Sequence, residues 1–187
     1  MYKSRIMKII KEIPVISSER LVLRELRMSD AQNVFNYFSK DEVTLYYDLA
    51  TFTSITQAEE LIKIWNIRVV EGQGLRWAIT LKGSDELIGT CGFHSLSEEN
   101  SRAEIGYEVT PAYWGKGIAS EAVQLMLDFG FNELNLHRIE AFIDPEHHAS
   151  RRVLLKSGMQ TEGVLRDYFF EKGRYVDAEL LSIITDK

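Results

Sequence analysis

Cysteine is almost absent from this chain of 187 residues, which contains only Cys91. A single cysteine excludes an internal disulfide and is compatible with a reducing compartment. Because Cys91 lies in an apolar, strand-like stretch, we expect an inert buried thiol. No apolar run approaches the ~20 residues that a membrane-spanning helix needs, and residues 1–11 have no signal-peptide apolar block. We therefore expect a cytoplasmic protein without a membrane partner.

Proline and positive charge are also scarce. There are three prolines, and 22 lysines and arginines stand against 28 acidic residues, for a net charge of −6. The deficit of positive charge disfavours nucleic-acid binding and weakly favours a basic substrate. With 45% hydrophobic and 27% charged residues, the composition predicts a globular protein. We predict an N-terminal extension (1–15, a surface helix or a frayed segment) and a single domain (16–187), as a monomer or a homodimer.

One glycine loop dominates the motif content, within the stretch from Val109 to Ala122. A strand should end near Thr110 because Pro111 cannot continue a ladder. From Ile118 the apolar residues follow a helical stripe. Gly115 and Gly117 permit unusual φ angles and close approach of a ligand. Outward-pointing amides at a helix start bind anions, and Lys116 adds a mobile cation. The loop therefore predicts a phosphate or pyrophosphate site.

Several kinds of site use such a loop. A Walker loop needs Ser or Thr directly after Gly-Lys, and Gly117 stands there instead. A dinucleotide fingerprint would need a glycine where Ser120 stands, although Glu140 lies at about the right distance. The segment Trp114 to Ala119 also resembles the coenzyme A loop of GNAT acetyltransferases, with Trp114 in place of the usual Gln or Arg. A glycine turn without a ligand is the remaining alternative.

Hydrophobic periodicity predicts the order β-α-α-β-β-β-α-β-α-β-β. The predicted strands are 20–26, 75–81, 86–94, 102–109, 138–143, 160–170 and 174–185. The predicted helices begin after caps at Ser29-Asp30 and Thr56, at Ile118 and at His148, and residues 41–53 are predicted as a loop. Gly106, inside the fourth strand, indicates a bulge or a close backbone approach.

This order and a series of short sequence motifs resemble the GNAT superfamily and its RimJ/RimL-type branch, the N-terminal acetyltransferases of ribosomal proteins. The motifs are Ser18 to Arg24, Ala103 to Tyr107, Tyr113 to Ala119, the Asp144-Pro145 segment through Gly158, and Gly173 to Asp177. The resemblance covers about Ile16 to Thr185. It implies an α/β (α+β) fold with a mixed, mostly antiparallel sheet of about seven strands. It also implies a splay between the fourth and fifth strands and helices on both faces.

The resemblance further implies an acetyl-CoA-dependent N-acetyltransferase. The loop residues would hold the pyrophosphate, and the backbone of Glu108 and Val109 would pair with the pantetheine arm. The residues expected at the pyrophosphate are Trp114, Gly115, Lys116, Gly117, Ile118 and Ala119. His147 replaces an asparagine that contacts the pantetheine in many relatives. Leu154 stands where many relatives carry a tyrosine that protonates the leaving thiolate, and in this branch Ser150 would act near the sulfur.

The reaction must also deprotonate an ammonium group, so a base is useful. Glu104, on the fourth strand, is the first candidate and His94 the second, although either could be an ordinary paired or surface residue. Glu146, His147 and His148 do not form a metal site because adjacent histidines do not share a helical face.

No sequence motif identifies the acceptor amine. A protein N-terminal α-amino group is the favoured acceptor, and a small amine such as a polyamine, an amino acid derivative or an aminoglycoside is the alternative within enzymes. A non-catalytic acyl-CoA sensor is the alternative from another class.

Overall fold

A computed structural model of the protein describes residues 7–185. One eight-stranded sheet crosses the domain in the order β1-β2-β3-β4-β5-β6-β8-β7. The strands are β1 (Ile16–Ser17), β2 (Leu21–Glu25), β3 (Leu75–Leu81), β4 (Leu87–Ser97), β5 (Arg102–Val109), β6 (Arg138–Ile143), β7 (Gln160–Glu171) and β8 (Arg174–Ile184). The helices are α1 (Ala31–Phe38), α2 (Asp41–Thr44), α3 (Ile55–Val70), α4 (Ile118–Asn132) and α5 (His148–Lys156). The predicted order is confirmed, and the eighth strand is the two-residue β1.

Helices cover both faces of the sheet, as predicted. On one face α1 and α3 bury a core that includes Val34, Phe38 and Ile62. On the other face α4 packs its predicted stripe, with Ala122 and Met126, into a larger core. Strand β3 contributes side chains to both cores because successive residues point to opposite faces of the sheet. Trp77 lies in the larger core and Ala78 in the core under α1 and α3.

The neighbouring strands β5 and β6 separate along their length. They form the parallel pair of the sheet, and pairing covers only Arg102 to Glu104 of β5 opposite Arg138 to Glu140 of β6. Beyond Glu104, β5 continues to Val109 beside β4 alone. Because β1 was not predicted, the fourth and fifth predicted strands are β5 and β6. The predicted splay between them therefore exists, and it opens toward their C-terminal ends.

Some local predictions are wrong. Gly106 pairs with Gly92 in regular register, and the irregularity lies between His94 and Ser97 of β4. Two side chains, and no backbone, approach Gly106 closely. A Cβ at this position would lie 3.3 Å from the Arg76 guanidinium and 3.4 Å from the His94 ring.

Two predicted helix caps also differ from the structure. Ser54, with Gln57 in a capping box, precedes α3 where Thr56 was expected. The Asp30 side chain does not cap α1; it binds the buried Arg24 guanidinium at 2.8 Å instead. The predicted 41–53 loop contains the single turn of α2.

Part of the predicted N-terminal extension (1–15) lies outside the described residues, which begin at Met7. Residues 7–15 form no helix. Met7 is buried in the larger core, the Lys8 amide donates to the Leu134 carbonyl at 2.9 Å, and the Trp77 indole donates to the Pro14 carbonyl at 2.8 Å. This part of the extension therefore packs against the domain.

Candidate active site

A cavity of about 850 Å³ occupies the splay. Its walls come from the end of β5, the glycine loop and start of α4, the start of α5, and the segment around α2. The cavity is lined by Glu42, Val43, Leu45, Tyr46, Tyr47, Tyr107, Glu108, Val109, Tyr113, Trp114, Gly115, Gly117, Ile118, Ala119, Ser120, Glu146, His147, His148, Ala149, Ser150, Arg152, Val153 and Lys156. Most of the predicted cofactor residues are therefore brought together.

The glycine loop has the geometry that an anion site requires. Gly115 and Gly117 have φ of 72° and 77°, a region that costs other residues energy. Helix α4 starts at Ile118, and its first return hydrogen bond runs from the Glu121 amide to the Gly117 carbonyl at 3.1 Å. The amides of residues 118–120 therefore have no acceptor within their own helix. They lie at the cavity wall, at the positive end of the helix dipole.

Arg20 supports this loop from outside. Its guanidinium donates to the Lys116 carbonyl at 3.1 Å and to Glu121 at 2.6 Å. The Lys116 ammonium itself does not line the cavity; it lies 5.1 Å from the centre of the Tyr113 ring. Arg20 lies in the motif from Ser18 to Arg24, but its role in holding the glycine loop was not predicted.

Strand register decides which backbone groups face the splay. The Thr110 amide donates to the Ile88 carbonyl at 2.8 Å, and residues alternate along an antiparallel pair. The backbone of Glu108, opposite Thr90, therefore points toward β4, whereas that of Tyr107 and Val109 points away from it. The Glu108 backbone is thus bonded within the sheet and does not face the splay, contrary to the predicted pairing with pantetheine. The Val109 backbone does face the splay, and its pairing with pantetheine stays a prediction.

The side chain of Glu108, in contrast, is the centre of a buried polar network that the sequence did not reveal. Its carboxylate pairs with the Arg76 guanidinium and accepts hydrogen bonds from the Thr90 hydroxyl, from Tyr37 at 3.1 Å and from Tyr47 at 3.3 Å. Burial raises the pKa of both tyrosines, and the Glu108 charge adds to the shift. The network ties β3, β4, β5 and α1 to the segment that follows α2.

Two hydroxyl groups meet across the splay on the opposite side of β5. The Tyr107 phenol oxygen lies 2.7 Å from the Ser150 hydroxyl oxygen and 3.3 Å from the Ser150 carbonyl oxygen, and either of these can accept its hydrogen. Ser150 is buried in the first turn of α5 and lines the cavity. Leu154, one turn later, is fully buried and offers no proton donor.

At the cavity mouth the ring of His147 stacks on that of Tyr46, with centroids 4.4 Å apart and planes 18° from parallel. Burial lowers the pKa of His147 below its usual value, although nearby Asp144 opposes the shift. A neutral imidazole can bind a polar arm as donor or acceptor. Among residues 7–185, no group of three or more His, Cys, Asp or Glu side chains is arranged to hold a metal.

The two predicted base candidates lie beside each other and do not line the cavity. Glu104 is the last paired residue of β5, and its carboxylate is 3.5 Å from Nδ1 of His94. Burial raises the pKa of Glu104. Burial and the positive charges of Arg76 and Arg68 lower the pKa of His94 to about 4. Their catalytic roles remain predictions.

Comparison with known proteins identifies the family. Residues 20–160 match an acetyltransferase (GNAT) domain. The chain belongs to the GNAT acetyltransferase family. It is 46% identical over 167 residues to the uncharacterized N-acetyltransferase p20 of Bacillus licheniformis, covering 89% of this chain and 94% of that one. It is 26% identical over 162 residues to the spermidine N(1)-acetyltransferase of Escherichia coli K12, covering 87% and 84%.

Solved structures agree with this assignment. Mycobacterium smegmatis RimJ in complex with CoA-disulfide superposes with a TM-score of 0.80 at 29% identity, covering 89% of this chain and 82% of that one. The GNAT fold, the enzyme class and the RimJ/RimL-like resemblance predicted from sequence are confirmed. The dinucleotide alternative is wrong, because the loop follows an antiparallel meander and Glu140 is buried against Arg138 and Arg102.

Acetyl-CoA is the acyl donor of this family, and the cavity fits it. Free amides and left-handed glycines offer a cradle for the pyrophosphate, and a Cβ added at Gly115 would meet no atom within 4 Å. The splay leaves an unpaired strand edge beside the cradle for an extended arm. No helix among the described residues is both long and apolar enough to cross a membrane.

Proposed function

We propose that this GNAT acetyltransferase acetylates the α-amino group of a protein N-terminus. The observation that carries this proposal is the bonding of Glu108. It is the buried carboxylate among the cavity-lining residues, and Arg76, Thr90, Tyr37 and Tyr47 hold it. A carboxylate with four donors is poorly placed to accept a proton from a substrate.

An acceptor amine with a low pKa suits a cavity whose buried carboxylate, Glu108, is poorly placed to accept a proton. An α-amino group titrates near pH ~7.7–8.0, so about a tenth or more is neutral at pH 7, whereas an alkyl amine near ~10.4 is neutral to well under about 0.1%. Glu104, acting through water, remains the proposed base; its raised pKa moves it toward the working range. The mouth residues Val43, Leu45 and Tyr46 offer apolar surface to the first side chains of a peptide.

The remaining roles that we propose are consistent with the geometry of the cavity. Acetyl-CoA supplies the acetyl group as a thioester when it is bound. The loop amides of residues 115–119, together with Trp114, would hold its pyrophosphate. The Val109 amide would donate to a carbonyl oxygen that gains charge. His147 would contact the polar arm, and Ser150 would bind the leaving sulfur.

A small polyamine is the second candidate, favoured by the similarity to a spermidine acetyltransferase and by the net charge of −6. Thiol release is to be measured with three acceptors: a lysine-free peptide with a free N-terminus, an N-terminally blocked peptide with one lysine, and spermidine. We expect the first to give the highest kcat/KM. A preference for spermidine would replace the proposal with the second candidate.

The role of Glu104 has its own test. Glu104→Gln removes the titrating group while keeping the shape of the side chain, so the acidic limb of the pH–rate profile should disappear and kcat should fall by about 10²-fold or more. His94→Gln tests whether the neighbouring imidazole contributes. An unchanged profile in Glu104→Gln would remove Glu104 as the base.

A further inference from the structure

The Tyr107–Ser150 pair joins two elements that meet only across the splay. Tyr107 projects from β5 on the side of the larger core, and Ser150 is the third residue of α5. Their hydroxyl oxygens are 2.7 Å apart, a normal length for an O–H···O hydrogen bond. Both residues line the cavity, so the pair forms part of its wall.

The direction of this hydrogen bond matters for the chemistry. The single Tyr107 hydrogen has two acceptors within reach, the Ser150 hydroxyl oxygen at 2.7 Å and the Ser150 carbonyl oxygen at 3.3 Å. The hydroxyl oxygen is the closer one, and a phenol is a stronger acid than an alcohol, so the arrangement in which Tyr107 donates to the Ser150 hydroxyl is the favoured one. Burial raises the pKa of Tyr107 well above its usual value, although the hydrogen bond to Ser150 opposes the shift. Tyr107 therefore keeps its proton at neutral pH. With its oxygen engaged as acceptor, Ser150 has its own hydrogen free for another partner.

The surroundings of Ser150 favour an anionic partner. The His148 amide is bonded to the Glu146 carbonyl at 2.8 Å, and the first return hydrogen bond of α5 runs from the Arg151 amide to the His147 carbonyl at 3.1 Å. The amides of Ala149 and Ser150 therefore have no acceptor within the helix and lie at the positive end of its dipole. Leu154, on the next turn, is fully buried and cannot donate a proton.

We propose that Tyr107 is a positioning residue for acetyl transfer, which orients the Ser150 hydroxyl so that its hydrogen points at the thiolate that leaves. This inference rests on the proposed role of Ser150. When the carbon–sulfur bond breaks, its electron pair stays on sulfur and Ser150 donates a hydrogen bond to that charge. The proton that the thiol finally gains balances the one that the amine loses, and Tyr107 loses none.

The decisive measurement is the thiol pKa of bound coenzyme A, followed by the ultraviolet absorbance of the thiolate in a pH titration of the saturated complex. The variants are Tyr107→Phe, Ser150→Ala and the double variant. Tyr168→Phe is the matched control, because Tyr168 is half-exposed on β7 and packs on Phe142 and Phe169. Affinity for coenzyme A, by calorimetry, and the urea unfolding midpoint are measured for each variant.

Hydrogen bonds to a charged group are worth enough to move a pKa by about one unit. We expect Ser150→Ala to raise the thiol pKa by about one unit, and Tyr107→Phe to raise it by a similar or smaller amount. The double variant should match Ser150→Ala, because Tyr107 acts through the serine. Tyr168→Phe should leave the thiol pKa unchanged.

Other results would overturn the inference in recognisable ways. A shift in Ser150→Ala without one in Tyr107→Phe would refute the positioning role and leave Ser150 in place. No shift in either variant would refute both roles. Fully additive shifts would show that Tyr107 acts on the sulfur independently of Ser150. Loss of coenzyme A binding in Tyr107→Phe with an unchanged unfolding midpoint would make Tyr107 a binding residue instead.

Discussion

The indole Nε1 of Trp114 donates a hydrogen bond of 2.6 Å to the carbonyl oxygen of Val109. Trp114 belongs to the glycine loop and Val109 is the last residue of β5, so the bond fixes the pyrophosphate cradle to the end of the splayed strand. It also satisfies a carbonyl that faces away from β4. The tryptophan that replaces the usual Gln or Arg therefore has a structural use at this position.

Trp114→Phe should weaken coenzyme A binding by about three- to tenfold, because one hydrogen bond worth ~0.5–1.5 kcal/mol no longer holds the loop. Phenylalanine keeps an aromatic ring at this half-exposed position. Calorimetric titration with coenzyme A measures the effect, and the unfolding midpoint should stay nearly constant. An unchanged dissociation constant would contradict the assigned role.

Gly117 offers a test of the cradle that separates charge from backbone strain. Its φ of 77° is tolerated by Asn and Asp better than by other side chains, so Gly117→Asn and Gly117→Asp should be strained alike. Only the aspartate adds a negative charge beside the bound pyrophosphate. We expect Gly117→Asp to bind coenzyme A at least about tenfold more weakly than Gly117→Asn, with the gap narrowing at high salt. Equal affinities of the two variants would argue against an anion site at this loop.

The parts of this site that the sequence predicted are those specified locally. Pro111, Gly115 and Gly117 set the strand end, the loop and the helix start within a few residues, and the structure has each at the expected place.

What the sequence could not give depends on pairing between distant segments. Glu104 was expected beside the cleft, yet which end of β5 remains paired to β6 is decided by the register with Arg138 to Glu140. The partners of Glu108 are up to 71 residues away in the chain, so no local pattern indicates them. The phenol of Tyr107 reaches Ser150 over 43 residues for the same reason.

The Glu108 network should dominate the stability of the cavity wall. Glu108→Gln removes a buried charge and leaves the Arg76 guanidinium, which is buried over the Trp65 ring at 4.5 Å, without its counter-ion. Removing one partner of a buried pair costs about 3–5 kcal/mol, so the urea midpoint should fall markedly.

Two controls sharpen that measurement. Tyr47→Phe removes only hydrogen bonds of 3.3 and 3.4 Å and should cost about 0.5–1.5 kcal/mol. Glu162→Gln breaks the pair with Arg138 at the surface and should have a much smaller effect than Glu108→Gln. A small effect of Glu108→Gln, equal to that of Glu162→Gln, would show that the network does not carry a buried charge pair.

His94 gives a prediction for pH dependence. Burial, with the charges of Arg76 and Arg68, lowers the pKa of its imidazole from 6.5 to about 4. The unfolded chain therefore binds this proton near pH 6.5, whereas the folded protein binds it only near pH 4. Between these values the unfolded state holds more protons, so the stabilisation is complete above pH 6.5 and is lost as the pH falls toward 4.

An NMR titration of the imidazole resonances should place the His94 midpoint near pH 4, and urea unfolding from pH 7 to 4 should show a weaker loss of stability in His94→Gln than in the wild type. His147→Gln is the matched control for the other histidine whose pKa burial lowers, and it should leave the His94 midpoint in place. The His94 side chain is 42% exposed and lies 3.5 Å from the Glu104 carboxylate, so a midpoint near 6.5 would show that solvent and Glu104 offset the charges of Arg76 and Arg68. It would also return His94 to the ordinary range of a general base, whereas a midpoint near 4 makes it a weak base beside Glu104.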